Sequence, residues 1–141
     1  MYNRATPAQL YAGLIGMLLV AAGITGMFYE SEFTSDVVVR DSAFGILEVN
    51  GWHNLIHIVT GGLGLVALTL GAGAARVYAL TLGVVYVVVG FVGIGFVLGE
   101  DDSIFSVVPV NTEDNVLHLL LGLLGMLAGA ASPERGKPRL A

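Results

Sequence analysis

The chain contains no cysteine, which excludes a disulfide framework, a thiolate metal site and a cysteine nucleophile. Charge is scarce as well: 12% of the 141 residues are Asp, Glu, Lys or Arg, about half the share of an ordinary soluble domain. The basic residues cluster only at Arg135, Lys137 and Arg139, and the net charge is −5, so no nucleic acid is expected as a partner. No Ser or Thr stands with a helpful base, and no nucleotide-binding loop occurs. Ser42 and Ser103 read as loop or capping residues, and the chain reads as non-enzymatic. Apolar sequence, by contrast, is abundant, at 55% hydrophobic residues with 20 glycines. A single small soluble core cannot hide that much, so the expected solvent is the lipid bilayer, with glycine serving close helix packing.

Hydropathy divides the chain into apolar stretches over about 8–29, 52–71, 75–98 and 115–131, each near the roughly 20 residues needed to cross a bilayer. A lipid-exposed backbone must satisfy its own hydrogen bonds, so each stretch is expected to be a helix. The first is too long for a signal-peptide core and is expected to be retained. Arg4, Arg76, Arg135, Lys137 and Arg139 fall before the first stretch, between the second and third, or after the fourth. The other two loops hold only Arg40 and carry ten of the eleven acids. Lys/Arg placement therefore puts both termini in the cytoplasm. The expected fold is an all-α, four-transmembrane-helix bundle in the cell membrane. It forms one domain over 1–141, with hairpins at 8–71 and 75–131 joined by a short turn at 71–75. A basic tail over 132–141 is expected to meet anionic headgroups, and the long first outer loop to lie along the membrane interface.

The two hairpins repeat one another. A shift of 61 gives eleven identities in the 29 positions from 41 to 69, among them Asn50 on Asn111, Asn54 on Asn115, His57 on His118, Gly61 on Gly122 and Gly64 on Gly125. A shift of 67 places Tyr11 on Tyr78, Ala12 on Ala79, Gly16 on Gly83, Gly23 on Gly90 and Gly26 on Gly93. Gly and Leu matches are cheap in apolar sequence, but the Asn and His matches are not. Each half enters and leaves on one side, so the expected relation is a parallel repeat about an axis along the membrane normal. Equivalent residues then sit at equal depth.

The run VNTEDNVLHLLLGLLG and its partner VNGWHNLIHIVTGGLG resemble an uncharacterised family of small four-helix bacterial membrane proteins, over about residues 11–129. The Val-Asn-x-x-(Asp/His)-Asn-x-x-His signature carries the resemblance. It implies four helices in a membrane and brings no activity, substrate or cofactor.

Polar residues in an apolar helix are functional candidates because burying them is costly. Asn54, His57, Asn115 and His118 are expected to form one polar cluster in the outer half of the bundle, fixing register through interhelical hydrogen bonds. His53 and His57 are four apart, as are Asp114 and His118, so each pair shares a helix face. One alternative is a transition-metal site on His53, His57, Asp114 and His118. Another is haem b between His57 and His118. On the leading reading no cofactor is needed, and His53 and Asp114 are solvated residues near helix starts. The role is then structural or interactive, with the bilayer, a second copy or another membrane protein as partner. Small-residue pairs such as Gly13/Gly16 and Gly122/Gly125 are expected to pack helices. Tyr11, Tyr29, Trp52 and Tyr78 read as interface anchors, and Tyr86 as facing a partner helix.

Overall fold

The computed structural model describes residues 4–33, 42–43, 45–99, 103–105, 107–109 and 111–133. Four helices make up most of it: α1 (Pro7–Tyr29), α2 (Gly51–Leu70), α3 (Ala72–Leu98) and α4 (Thr112–Ala130). Between α1 and α2, β1 (Ser42–Ala43) pairs antiparallel with β2 (Leu47–Glu48); between α3 and α4, β3 (Ser103–Ile104) pairs likewise with β4 (Val108–Pro109). The expected course of the first outer loop over 34–41 and the expected contacts of the tail from 134 onward lie outside the described residues.

Local chemistry sets the helix ends. Thr6 and Gln9 form a reciprocal capping box ahead of Pro7 at the first helical position. Asn50 Oδ1 accepts the His53 N–H at 2.9 Å, and Asn111 Oδ1 accepts the Asp114 N–H at 2.8 Å. These caps start α2 at Gly51 and α4 at Thr112, the latter three residues before the expected 115. The expected five-residue turn at 71–75 is corrected to Gly71 alone, at φ 101°, a conformation that favours glycine. Ala72, Ala74 and Ala75 instead extend α3, as alanine's helix propensity favours.

The packing is inverted relative to a water-soluble bundle. Gly16, Gly23, Gly26, Ala8 and Ala12 are buried on α1, while Leu10, Leu14, Met17 and Leu18 of the same helix are exposed. Phe28 and Leu98 are 86% and 80% exposed, in an apolar exterior far larger than a soluble monomer tolerates. Small residues inside and large apolar ones outside suit helices that touch each other closely and face lipid. Among the described residues, α1, α2 and α3 are long and apolar enough to cross a membrane. The polar first turns of α4, with Glu113, Asp114, Asn115 and His118, keep it from meeting that standard on sequence apolarity.

α1 packs chiefly on α2, and α3 chiefly on α4. A methyl group added at Gly16 would lie 2.9 Å from the Gly61 carbonyl oxygen, and one at Gly83 would lie 2.9 Å from that of Gly122. The Asn54 carboxamide lies directly on Gly26, and that of Asn115 on Gly93. Two exchanges then tie the halves together. Tyr11 donates its hydroxyl proton to the Leu121 carbonyl at 2.9 Å, and Tyr78 donates to that of Thr60 at 3.1 Å. At the loop end, Asn50 Nδ2 donates to the Val107 carbonyl at 2.7 Å, and Asn111 Nδ2 donates to that of Ile46 at 2.6 Å. Tyr11 and Tyr78 are thus corrected from interface anchors to internal ties, because each hydroxyl reaches a carbonyl of the opposite hairpin. Tyr29 and Trp52, 40% and 41% exposed, stay at helix ends.

The double duty of the capping asparagines yields a test. Asn50→Asp keeps a good helix cap but replaces the donor facing Val107 with a carboxylate oxygen. The expected cost is about 1–3 kcal/mol, read as a lower unfolding temperature in detergent, with Asn111→Asp behaving alike. Unchanged stability in both variants would mean that the bridges between the halves contribute nothing.

Candidate metal centre

At the end of the bundle away from Gly71, the first turns of α2 and α4 bring together the histidines and a carboxylate. His53 and His57 stand one turn apart on α2, with their Nε2 atoms 3.2 Å from each other. His118 approaches from α4, its ring 6.1 Å from each of the other two. One nitrogen from each of the three rings fits within a set whose members are all within 4.8 Å of one another. Asp114 Oδ2 lies 3.7 Å from His53 Nε2 and 3.8 Å from His118 Nδ1. These separations are too long for hydrogen bonds.

The expectation that His53 and Asp114 are solvated is overturned. They are 3% and 4% exposed, on first turns of α2 and α4 that lie inside the bundle, α4 beginning three residues earlier than expected. The expected cluster of Asn54, His57, Asn115 and His118 is divided. Asn54 donates through Nδ2 to the Glu30 carbonyl at 2.8 Å, and each asparagine packs on a glycine of its own hairpin. The histidines turn toward one another instead. His57 and His118 do come together, with His53 and Asp114 beside them.

Among the described residues, the buried side-chain atoms without a hydrogen-bond partner are His53 Nδ1, Tyr86 Oη, Asp114 Oδ2, both amide atoms of Asn115, and His118 Nδ1. Every one belongs to this end of the bundle. The Glu48 backbone is an electrostatic neighbour of the His53 ring, without reaching Nδ1 in hydrogen-bond geometry. Asn115 differs from Asn54 for a local reason. α1 ends at Tyr29 and leaves the Glu30 carbonyl available, whereas the carbonyl 67 positions on, Val97, lies inside α3 and faces the Gly99 N–H. Unsatisfied buried polar groups are rare in folded proteins, and a concentration of them marks a place shaped for something other than stability.

Residues 9–131 match the family described as a domain of unknown function, DUF4383. The chain belongs to this family. No curated protein and no solved structure matches it. The DUF4383 match reaches all four helices and contains His53, His57, Asp114 and His118.

Within this DUF4383 domain three imidazoles come together with the Asp114 carboxylate beside two of them, residue types suited to zinc, iron, cobalt or manganese. Nitrogens about 2.0 Å from one tetrahedral ion lie about 3.3 Å apart, close to the His53–His57 spacing. The three nitrogens lie within 4.8 Å of one another, so the His118 side would close by up to about 1.5 Å to complete such a sphere. A macrocycle fits less well. The His53 ring stands 4.5 Å from the His57 ring, and the adjoining cavity holds about 160 Å³. Cofactor-sized sites begin at about 300 Å³. Sequence reasoning did not assign Tyr86 to this site, although its ring lies 4.9 Å from that of His118. A lone tyrosine in an apolar helix carries no spacing signal for such a role.

Proposed function

We propose that this DUF4383 protein is a four-span integral membrane protein that binds one divalent transition-metal ion on His53, His57, His118 and Asp114. The observation that carries the reading is the convergence of four potential ligands, of which Asp114 Oδ2 and His118 Nδ1 lack a hydrogen-bond partner. A bound dication would satisfy them together and offset the cost of a buried carboxylate. Two hairpin repeats about an axis along the membrane normal, with both termini cytoplasmic, complete the proposal. Its supports are the paired contacts of the two halves, the Lys/Arg placement and the length of α4. The metal centre then lies at the outer side of the membrane.

Two measurements test these parts. Co2+ or Zn2+ added to protein stripped with chelator is expected to raise the unfolding temperature by several degrees, by mass action on the folded state. Unchanged unfolding at millimolar metal would reject the centre. A reporter fused after Ala141 is expected to read as cytoplasmic, and an external reading would reject the orientation.

A purely structural cluster is the second reading, favoured by the His53–His57 separation of 3.2 Å, which is also hydrogen-bond length. It leaves Asp114 Oδ2 and His118 Nδ1 without partners, which is why it ranks behind the metal centre.

A further inference from the structure

Beside the three histidines lies a cavity of about 160 Å³ between α2 and α3, closed over by Ile104 and Val108. His53, His57 and His118 all form part of its wall, whereas Asp114 does not. The carboxylate is not part of this wall, so an ion that takes more than four ligands, such as Fe2+, would have a coordination position to present to this space. The rest of the wall is aliphatic apart from Thr60 and Tyr86. Thr60 is already engaged, donating to the Ile56 carbonyl at 2.7 Å. The Tyr86 side chain is 4% exposed, and its hydroxyl has the Thr60 side chain as an electrostatic neighbour without forming a hydrogen bond in good geometry.

The cavity opens sideways. Ile56 and Val85 at its rim are 45% and 47% exposed on the apolar exterior of the bundle. Thr60 and Val85 also line a larger cavity of about 510 Å³ that continues between α2 and α3 toward Ala74 and Val77. Among the described residues, no Asp, Glu, Lys or Arg lines either space. An ionic ligand entering this way would lose its hydration without compensation, whereas a small uncharged molecule partitions into the bilayer freely. An apolar cavity of about 150 Å³ holds one benzene-sized guest, so this one excludes chain-bearing or macrocyclic ligands and suits a molecule of a few atoms.

We infer that the metal centre takes a small, uncharged, metal-coordinating ligand of the size of dioxygen or nitric oxide, delivered laterally from the lipid. The apolar α2–α3 cavity admits it, and the Tyr86 hydroxyl donates a hydrogen bond to it once bound. This inference rests on the metal centre proposed above and adds the class of molecule that the centre binds.

The test uses the full chain in lipid nanodiscs, loaded anaerobically with Fe2+. Nitric oxide serves as the neutral probe and azide as the charged one, with binding followed by absorption and electron paramagnetic resonance. Expected is one nitrosyl per bound iron, with azide binding at least about tenfold more weakly, as desolvation of its charge requires. Val89→Phe, which fills the cavity without touching a ligand atom, is expected to slow nitric oxide association at least about tenfold at unchanged iron content. Val85→Phe at the half-exposed rim should act in the same direction and serves if the first variant fails to fold. Tyr86→Phe is expected to speed nitric oxide release several-fold without changing its entry. Equal association in wild type and both cavity variants, or azide binding as tight as nitric oxide, overturns the inference while leaving the metal centre standing. A chain that binds no iron overturns the metal centre itself, and the inference with it.

Discussion

His57→Leu and His57→Asn are both expected to lower the affinity of the purified protein for Co2+ by about 100-fold or more, since even indirect partners of a metal site contribute 10–100-fold. The pair separates the two readings of the histidines. In a structural cluster an amide can keep the hydrogen bond to His53 Nε2, so His57→Asn would be tolerated far better than His57→Leu. At a metal centre neither side chain replaces an imidazole, and the two variants fail alike. Asp114→Asn sharpens the contrast. It is expected to weaken metal binding while raising the unfolding temperature of the metal-free protein, because it removes a buried carboxylate whose Oδ2 has no partner. Titration followed by the visible absorption of Co2+ reads the first effect, and unfolding in chelator reads the second. Metal binding that survives in His57→Asn would return the histidines to a structural role.

A large effect on folding is expected at Gly61. A Cβ there would lie 2.6 Å from the Gly16 carbonyl oxygen and 2.8 Å from the Val20 amide nitrogen, both backbone atoms that cannot move without parting α1 from α2. Gly61→Val is therefore expected to cost about 3 kcal/mol or more, and Gly122→Val the same, since its Cβ would meet the Gly83 carbonyl oxygen at 2.8 Å. Gly62 is the internal control. Nothing lies within 4 Å of a Cβ at that position, so Gly62→Ala should be neutral or stabilising by up to about 1 kcal/mol through helix propensity. Thermal unfolding of the three variants in one detergent checks the set. Equal effects at Gly61 and Gly62 would contradict the packing described.

Hydropathy made the four helices readable, because each coincides with an apolar run near the length a helix needs to cross a bilayer. Gly16 meets Gly61 and Gly83 meets Gly122, at positions related by the offsets of 67 and 61. What sequence did not reveal depended on side-chain direction. Asn54 and His57 lie three apart and share much of a helix face, yet Asn54 turns to the Glu30 carbonyl while His57 turns to His53. The exchange of tyrosine hydroxyls between hairpins was hidden for a similar reason. Tyr11 and Tyr78 sit near helix ends, where an interface anchor and an internal tie look the same in sequence. The solvated reading of Asp114 failed because Asn111 caps α4 early enough to carry the carboxylate inside. His53, His57, Asp114 and His118 were visible as two i, i+4 pairs. Their mutual approach required the fold.

X-ray absorption at the metal edge, recorded on chelator-stripped protein reloaded with one equivalent of Zn2+, tests the central claim most directly. Three imidazole ligands and one carboxylate oxygen at about 2.0–2.2 Å are predicted, with the outer-shell scattering of imidazole rings lost stepwise in His53→Ala and His118→Ala. A fully hydrated ion, or a ligand shell unchanged by both substitutions, would contradict it.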